Sequence, residues 1–167
     1  MDINEIPKIN MDDNETGCCP RFDPAPWNDK EFIFDNKLFA KATTINFFHF
    51  PLNMGSMYKG SFKKIMDANA MDEAFITLSY DPSPWKGEHY FAVNKDVPGM
   101  EMIKLSGVYL SKVFEGPFKD AGKWVKEMGE FVKSKGKEQK KLYFFYTTCP
   151  KCAKHYGKNY VVAFGEV

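Results

Sequence analysis

Apolar positions along this chain change their spacing several times, and each change marks an element. From Lys37 to His49, KLFAKATTINFFH is rich in β-branched and aromatic residues and runs up to Pro51, which predicts a strand. In MGSMYKGSFKKIMDANAM, Met54, Met57, Tyr58, Phe62, Ile65 and Ala68 recur at helical spacing and predict an amphipathic helix. AFITLSY and HYFAVNKDV then predict two strands around the turn-rich DPSPWKGE. The same order follows again. EMIKLSGVYLSKVFEG predicts a strand ending before Pro117. Ala121, Trp124, Val125, Met128, Phe131 and Val132 mark one helical face, with Asp120 placed to cap its first turn. Lysine-rich KSKGKEQKK reads as a solvated loop, and LYFFYTT and NYVVAFGEV predict two last strands around CPKCAKHYGK.

The halves can be laid on one another. His49 pairs with Glu115 and Pro51 with Pro117 at an offset of 66 residues, which the helical faces keep. Tyr90 pairs with Tyr160 and Val97 with Val167 at an offset of 70. The expected organisation is a flexible tail over residues 1–17, an arm over 18–36, and a domain over 37–167 made of repeats 37–97 and 98–167. Its fold class is α+β: duplicated strand–helix–strand–strand modules forming an antiparallel sheet with two helices on one face. Strand alternation puts Phe47 and His49 on one side of NFFHF and Phe48 and Phe50 on the other. A sheet that is apolar on its second face needs a cover there, and a ligand, a partner or the chain's own loops can supply it.

Composition narrows the function. Net charge is +1 over 167 residues, too little to grip a phosphate backbone, so nucleic acid is not an expected partner. No apolar run approaches the ~20 residues of a membrane helix, and no basic start precedes an apolar run, so a cytoplasmic protein is expected. Thiols stay reduced there, which makes Cys18, Cys19, Cys149 and Cys152 candidate ligands or packing groups rather than disulfides. Cys149-Pro-Lys-Cys152 is a single metal knuckle. With His155 and Cys18 or Cys19 it would close a structural zinc site, although adjacent Cys18 and Cys19 point apart too easily to make a second knuckle. A thioredoxin-like redox unit does not fit, because only 15 residues follow Cys152 and most of them make a strand. The remaining reading of the pair is soft packing at a pocket mouth.

DPAPW (Asp23–Trp27) and DPSPW (Asp81–Trp85) nearly repeat each other, and each stiffens the approach to a tryptophan. Trp27 and Trp85 are therefore either core plugs or rigid walls for a flat ligand. Glu115 is the candidate carboxylate, at a strand end on the face of Tyr109, Ser111 and Val113, with His49 as its counterpart. Phe47, Tyr146, Tyr156 and Tyr160 complete the expected ligand-binding set. His89 adds a further polar tip near the first of the two hairpins.

The stretch PGMEMIKLSGVYLSKVFEGPFKDAGKWVKEMGEFV and the closing NYVVAFGEV resemble the GyrI-like small-molecule-binding family through Gly107, Tyr109, Gly116-Pro117 and the last strand. With the first repeat, the resemblance spans about residues 36 to 167. It implies two modules related by a pseudo-twofold around a ligand groove. It also implies a stand-alone binder of aromatic, cationic or lipophilic xenobiotics, a monomer or weak homodimer needing no cofactor beyond the zinc considered above. The alternative it carries is a hydrolase of strained cyclopropane-type genotoxins, with Glu115 or His49 as base and Tyr109 as orienting donor. Many relatives hold an acid in a Glu-x-Tyr-like pattern before the final strand. Here that stretch is CAKHYGKNY, without a carboxylate. A zinc-stapled interaction protein is the third class.

Overall fold

Alternation of inward and outward side chains is what organises the computed structural model, which describes residues 2–167. Among them are seven strands, three α-helices and one 3-10 turn, a mixed α+β chain. Two units are distinguished: Asp35–Ser106, and the residues up to Phe34 together with Gly107–Val167.

The Asp35–Ser106 unit holds most of β1 (Lys30–Phe47), then β2 (Phe50–Pro51), α1 (Met54–Asp67), β3 (Thr77–Ser83), β4 (Lys86–Ala92) and the start of β5 (Glu101–Glu115). Its strands pair in the order β2-β1-β4-β3, antiparallel throughout. Ala40 faces Phe91, and Phe91 faces Thr77, so these three share one side of the sheet. Met57 and Ile65 of α1 bury themselves there on Ala40, Phe91 and Val93, with Tyr58 and Phe62 at the margin. Lys41, Tyr90 and Leu78 are the next set in register and take the other side.

In the second unit β5 leads into the 3-10 turn Phe118–Asp120, α2 (Ala121–Ser134), β6 (Lys141–Tyr146), α3 (Pro150–Tyr156) and β7 (Tyr160–Glu166). The strand order is β5-β7-β6, again antiparallel. Trp124, Met128 and Val132 of α2 lie on Leu110, Phe114, Val161 and Ala163. Gly165 permits that approach, since a Cβ there would stand 3.1 Å from Met128 Cε. In the first unit β4 lies between β1 and β3, in the second β7 lies between β5 and β6, and in each a helix covers one face of the sheet.

The other face of β5-β7-β6 carries Tyr109, Ser111, Tyr143, Phe145, Val162 and Phe164. Within this unit it is covered by the chain itself. Trp27 is 2% exposed, with its ring 5.5 Å from Phe145, 6.1 Å from Phe32 and 6.3 Å from Phe164. Phe22 packs against Trp27, Phe145 and Tyr160.

Two features depart from the expected layout, and the N-terminal residues add contacts to it. A third helix, α3, forms where a loop was read: Pro150 occupies its first turn and Gly157, at φ 73°, ends it in the left-handed region. β1 begins at Lys30, not Lys37, because Phe32 and Phe34 continue its buried alternation. Residues 2–17, expected to be flexible, touch the body at several points. Asn4 N donates to Ile33 O at 2.8 Å, Ile6 is buried, and Arg21 reaches Asp13 and Glu15.

Candidate active site and cysteine cluster

On the sheet face away from α1, strand alternation along β4 presents Glu88 and Tyr90 side by side. The Tyr90 hydroxyl donates to Glu88 Oε2 at 2.5 Å. From the neighbouring strand Lys41 Nζ lies 3.4 Å from Glu88 Oε1, and Lys86 Nζ lies 3.6 Å from the same oxygen. Lys41 also reaches Glu101 Oε2 at 3.6 Å. The Glu88 and Lys41 side chains are each 14% exposed, whereas Glu101 and Lys86 stand well out in solvent. Burial raises the Glu88 pKa, but the Tyr90 hydrogen bond and the charges of Lys41 and Lys86 outweigh it and hold the carboxyl below its ordinary value. The group is a half-buried, charged carboxylate restrained by a phenol and flanked by ammonium groups.

Sequence reasoning missed this set, although a signal existed. Glu88-His89-Tyr90 is a Glu-x-Tyr pattern, sought before the final strand but present on β4. On the opposite side of β4, His89 lies beneath α1. Thr44 donates to Asn46 Oδ1, so its oxygen accepts from His89 Nε2 at 3.0 Å, and Ser79 Oγ donates to His89 Nδ1 at 2.8 Å. Burial lowers the His89 pKa to about 4, against a smaller opposing pull from Glu88.

The residues named from sequence are scattered. Glu115 is exposed and faces Tyr160 at one end of the β5–β7 ladder, while Tyr109 faces Glu166 at the other. Six residues of strand, about 20 Å at ~3.3 Å each, separate them. Tyr109 is 1% exposed, with its ring 4.8 Å from Phe34 and 6.2 Å from Tyr143. Burial, then the charge of Glu166, raises its phenol pKa. His49 sits in the β1–β2 turn at φ 67° with Nδ1 3.0 Å from Asp81 Oδ2. Beside it Phe47, Phe48 and Trp85 form an exposed ring cluster with centroids 4.9–5.9 Å apart. Tyr146 packs on Phe118, and Tyr160 packs on Phe22. The Tyr156 hydroxyl donates to Cys19 O at 2.6 Å.

The four cysteines converge. The Sγ atoms of Cys18, Cys19, Cys149 and Cys152 all lie within 4.8 Å of one another, and the thiols are unpaired in disulfides. Cys19 takes the position expected for His155, whose Nε2 instead lies 3.0 Å from Glu15 Oε2. Adjacent Cys18 and Cys19 do not point apart: their sulfurs are 3.7 Å from each other. Cys152 is fully buried, with Sγ 3.3 Å from Thr16 Oγ1. That hydroxyl, with smaller help from Cys149 and Cys19, pulls its pKa down to about 6 against the effect of burial. Desolvation drives Cys19 the other way. Four soft donors drawn from two chain segments make a set able to hold a thiophilic metal ion.

None of the described helices is long and apolar enough to cross a membrane. Among solved structures the chain resembles SAV2435 bound to tetraphenylphosphonium, at 12% identity and a TM-score of 0.51, covering 84% of this chain and 93% of that one. It also resembles a hydrolase from Listeria innocua, at 11% identity and a TM-score of 0.54, covering 83% and 91% respectively. No curated protein matches the sequence. Residues 9–167 match the model of the family described as bacterial hydrolase, nearly the whole length, and the chain belongs to that family.

Proposed function

We propose that the protein hydrolyses a small lipophilic electrophile of the strained, cyclopropane-type class, with Glu88, Tyr90 and Lys41 as the working groups. The observation that carries this reading is the restrained, half-buried Glu88 carboxylate, within reach of Tyr90 and Lys41 and beside the solvent-facing Glu101 and Lys86. Water adds to the electrophilic carbon, and its proton passes to Glu88. A new C–O bond forms as the strained bond breaks, and the electron pair of that bond stays on the departing atom, where the Lys41 ammonium offsets its charge. A guest that displaces the Tyr90 hydroxyl from Glu88 removes the restraint, makes the carboxylate more basic, and frees the phenol to donate to the departing atom. The proton held by Glu88 then leaves with the product.

Binding of a lipophilic cation without turnover is the second reading, supported by the likeness to a protein solved with tetraphenylphosphonium. Two ammonium groups beside Glu88 oppose a cationic guest there, which ranks this reading below hydrolysis. The cofactor part of the proposal is a structural metal at the four cysteines, remote in chemistry from the hydrolytic step. The test is Glu88→Gln with a strained cyclopropane substrate and the ring-opened product followed by chromatography. A fall in kcat of roughly 10²–10⁴ with substrate affinity retained is expected. Product formation at the unaltered rate removes Glu88 from the chemistry. Saturable binding without any product, in the unaltered protein, selects the binder.

A further inference from the structure

We infer that Cys18, Cys19, Cys149 and Cys152 form a tetrathiolate Zn²⁺ site that fastens the arm carrying Trp27 over the aromatic face of β5-β7-β6. This deepens the structural-metal reading above and rests on it. The geometry suits the ion. Zn–S bonds of about 2.3 Å in a tetrahedron set neighbouring sulfurs roughly 3.8 Å apart. Cys18 and Cys19 already stand 3.7 Å apart, and the whole quartet lies within 4.8 Å. The donor set is all sulfur, the choice that favours zinc over hard divalent cations, and His155 is engaged by Glu15.

What the site would secure follows from chain order. Cys18 and Cys19 stand shortly before Phe22 and Trp27, in a stretch with no helix or strand between Cys18 and Asp29. Downstream, the arm is held through side chains. Ser111 Oγ donates to Trp27 O at 2.6 Å, and Asn28 Oδ1 accepts from Val113 N at 3.0 Å. Upstream, Tyr156 donates to Cys19 O, and the thiols meet the Cys-x-x-Cys pair at α3. A metal there would turn the upstream end from a set of weak contacts into a fixed point, so that Trp27 stays seated on Phe145 and Phe164.

The experiment uses the full chain, purified without chelator. Native mass spectrometry is expected to give one zinc per chain. Replacement by Co²⁺ is expected to give the thiolate charge-transfer and d–d bands of a tetrahedral tetrathiolate, lost or shifted in Cys19→Ser. Hydrogen exchange over residues 20–29 is expected to rise roughly tenfold or more on chelation, with α1 unchanged. A metal-free chain that takes up no cobalt, or a mass showing disulfides, overturns the zinc reading and this inference with it. A cobalt spectrum indifferent to Cys19→Ser overturns the four-thiolate assignment. One zinc per chain with exchange in the arm unaltered, or raised equally in α1, overturns the fastening while the zinc reading stands.

Discussion

A methyl group on Gly87 would press on Thr44 Oγ1 and come within 3.1 Å of His89 Nε2 and 3.2 Å of Asn46 Nδ2. Those atoms belong to one buried network, Asn46–Thr44–His89–Ser79, so none can swing aside without breaking a hydrogen bond. Gly87→Ala is therefore expected to destabilise the fold by about 1–3 kcal/mol, read as a lower urea midpoint at unchanged slope. An unmoved midpoint would show that the network yields. One residue further on, alternation alone makes it legible that Glu88 and Tyr90 share a face. Lys41 was not legible as their neighbour. It stands opposite Tyr90 only through the β1–β4 register, which depends on where the two strands start and turn. Glu115 and Tyr109 share a face of β5, as alternation implies, but lie at opposite ends of the β5–β7 ladder.

Two nearly identical segments have opposite fates, and the difference arises at the level of elements. DPAPW belongs to the arm and delivers Trp27 into a ring-lined interior; DPSPW turns between β3 and β4 and leaves Trp85 53% exposed. Proline stiffness was legible in both, but burial depends on whether a sheet face lies beneath, which local sequence does not encode. Trp27→Ala is expected to cost about 3–5 kcal/mol, whereas Trp85→Ala should cost under about 1 kcal/mol. Equal losses in paired denaturation curves would contradict the packing described for the arm. α3 escaped detection for a different reason. Seven residues are too few for a period to show, and Pro150 and Gly157 are the punctuation of a short helix.

Across the whole chain, the long strands and both amphipathic helices α1 and α2 were legible because periodicity is a property of long segments. The cover on the aromatic face was not, because it comes from a distant stretch with no period of its own. The acid limb of stability is likewise a property of the whole chain that few residues dominate. His89 is neutral in the fold because burial holds its pKa at about 4, while an unfolded chain would take the proton near 6.5. A depressed pKa means the unfolded state binds more protons between those values. The His89 contribution is therefore full above about pH 6.5 and falls by about 3 kcal/mol on the way to pH 4. Glu88, also depressed, keeps its contribution above its ordinary range and begins to lose it only at the acid end of that window, so it steepens the curve below about pH 4.5. The two limbs can be separated by urea unfolding at pH 7.5, 5.5 and 4. His89→Gln is expected to start lower and to slope less than the unaltered protein from pH 7.5 to about 4.5, both sharing the fall that the depressed Cys152 thiol brings above about pH 5.5. Parallel curves would mean that His89 is already protonated inside the fold, and the tautomer deduced from Thr44 and Ser79 would have to be abandoned.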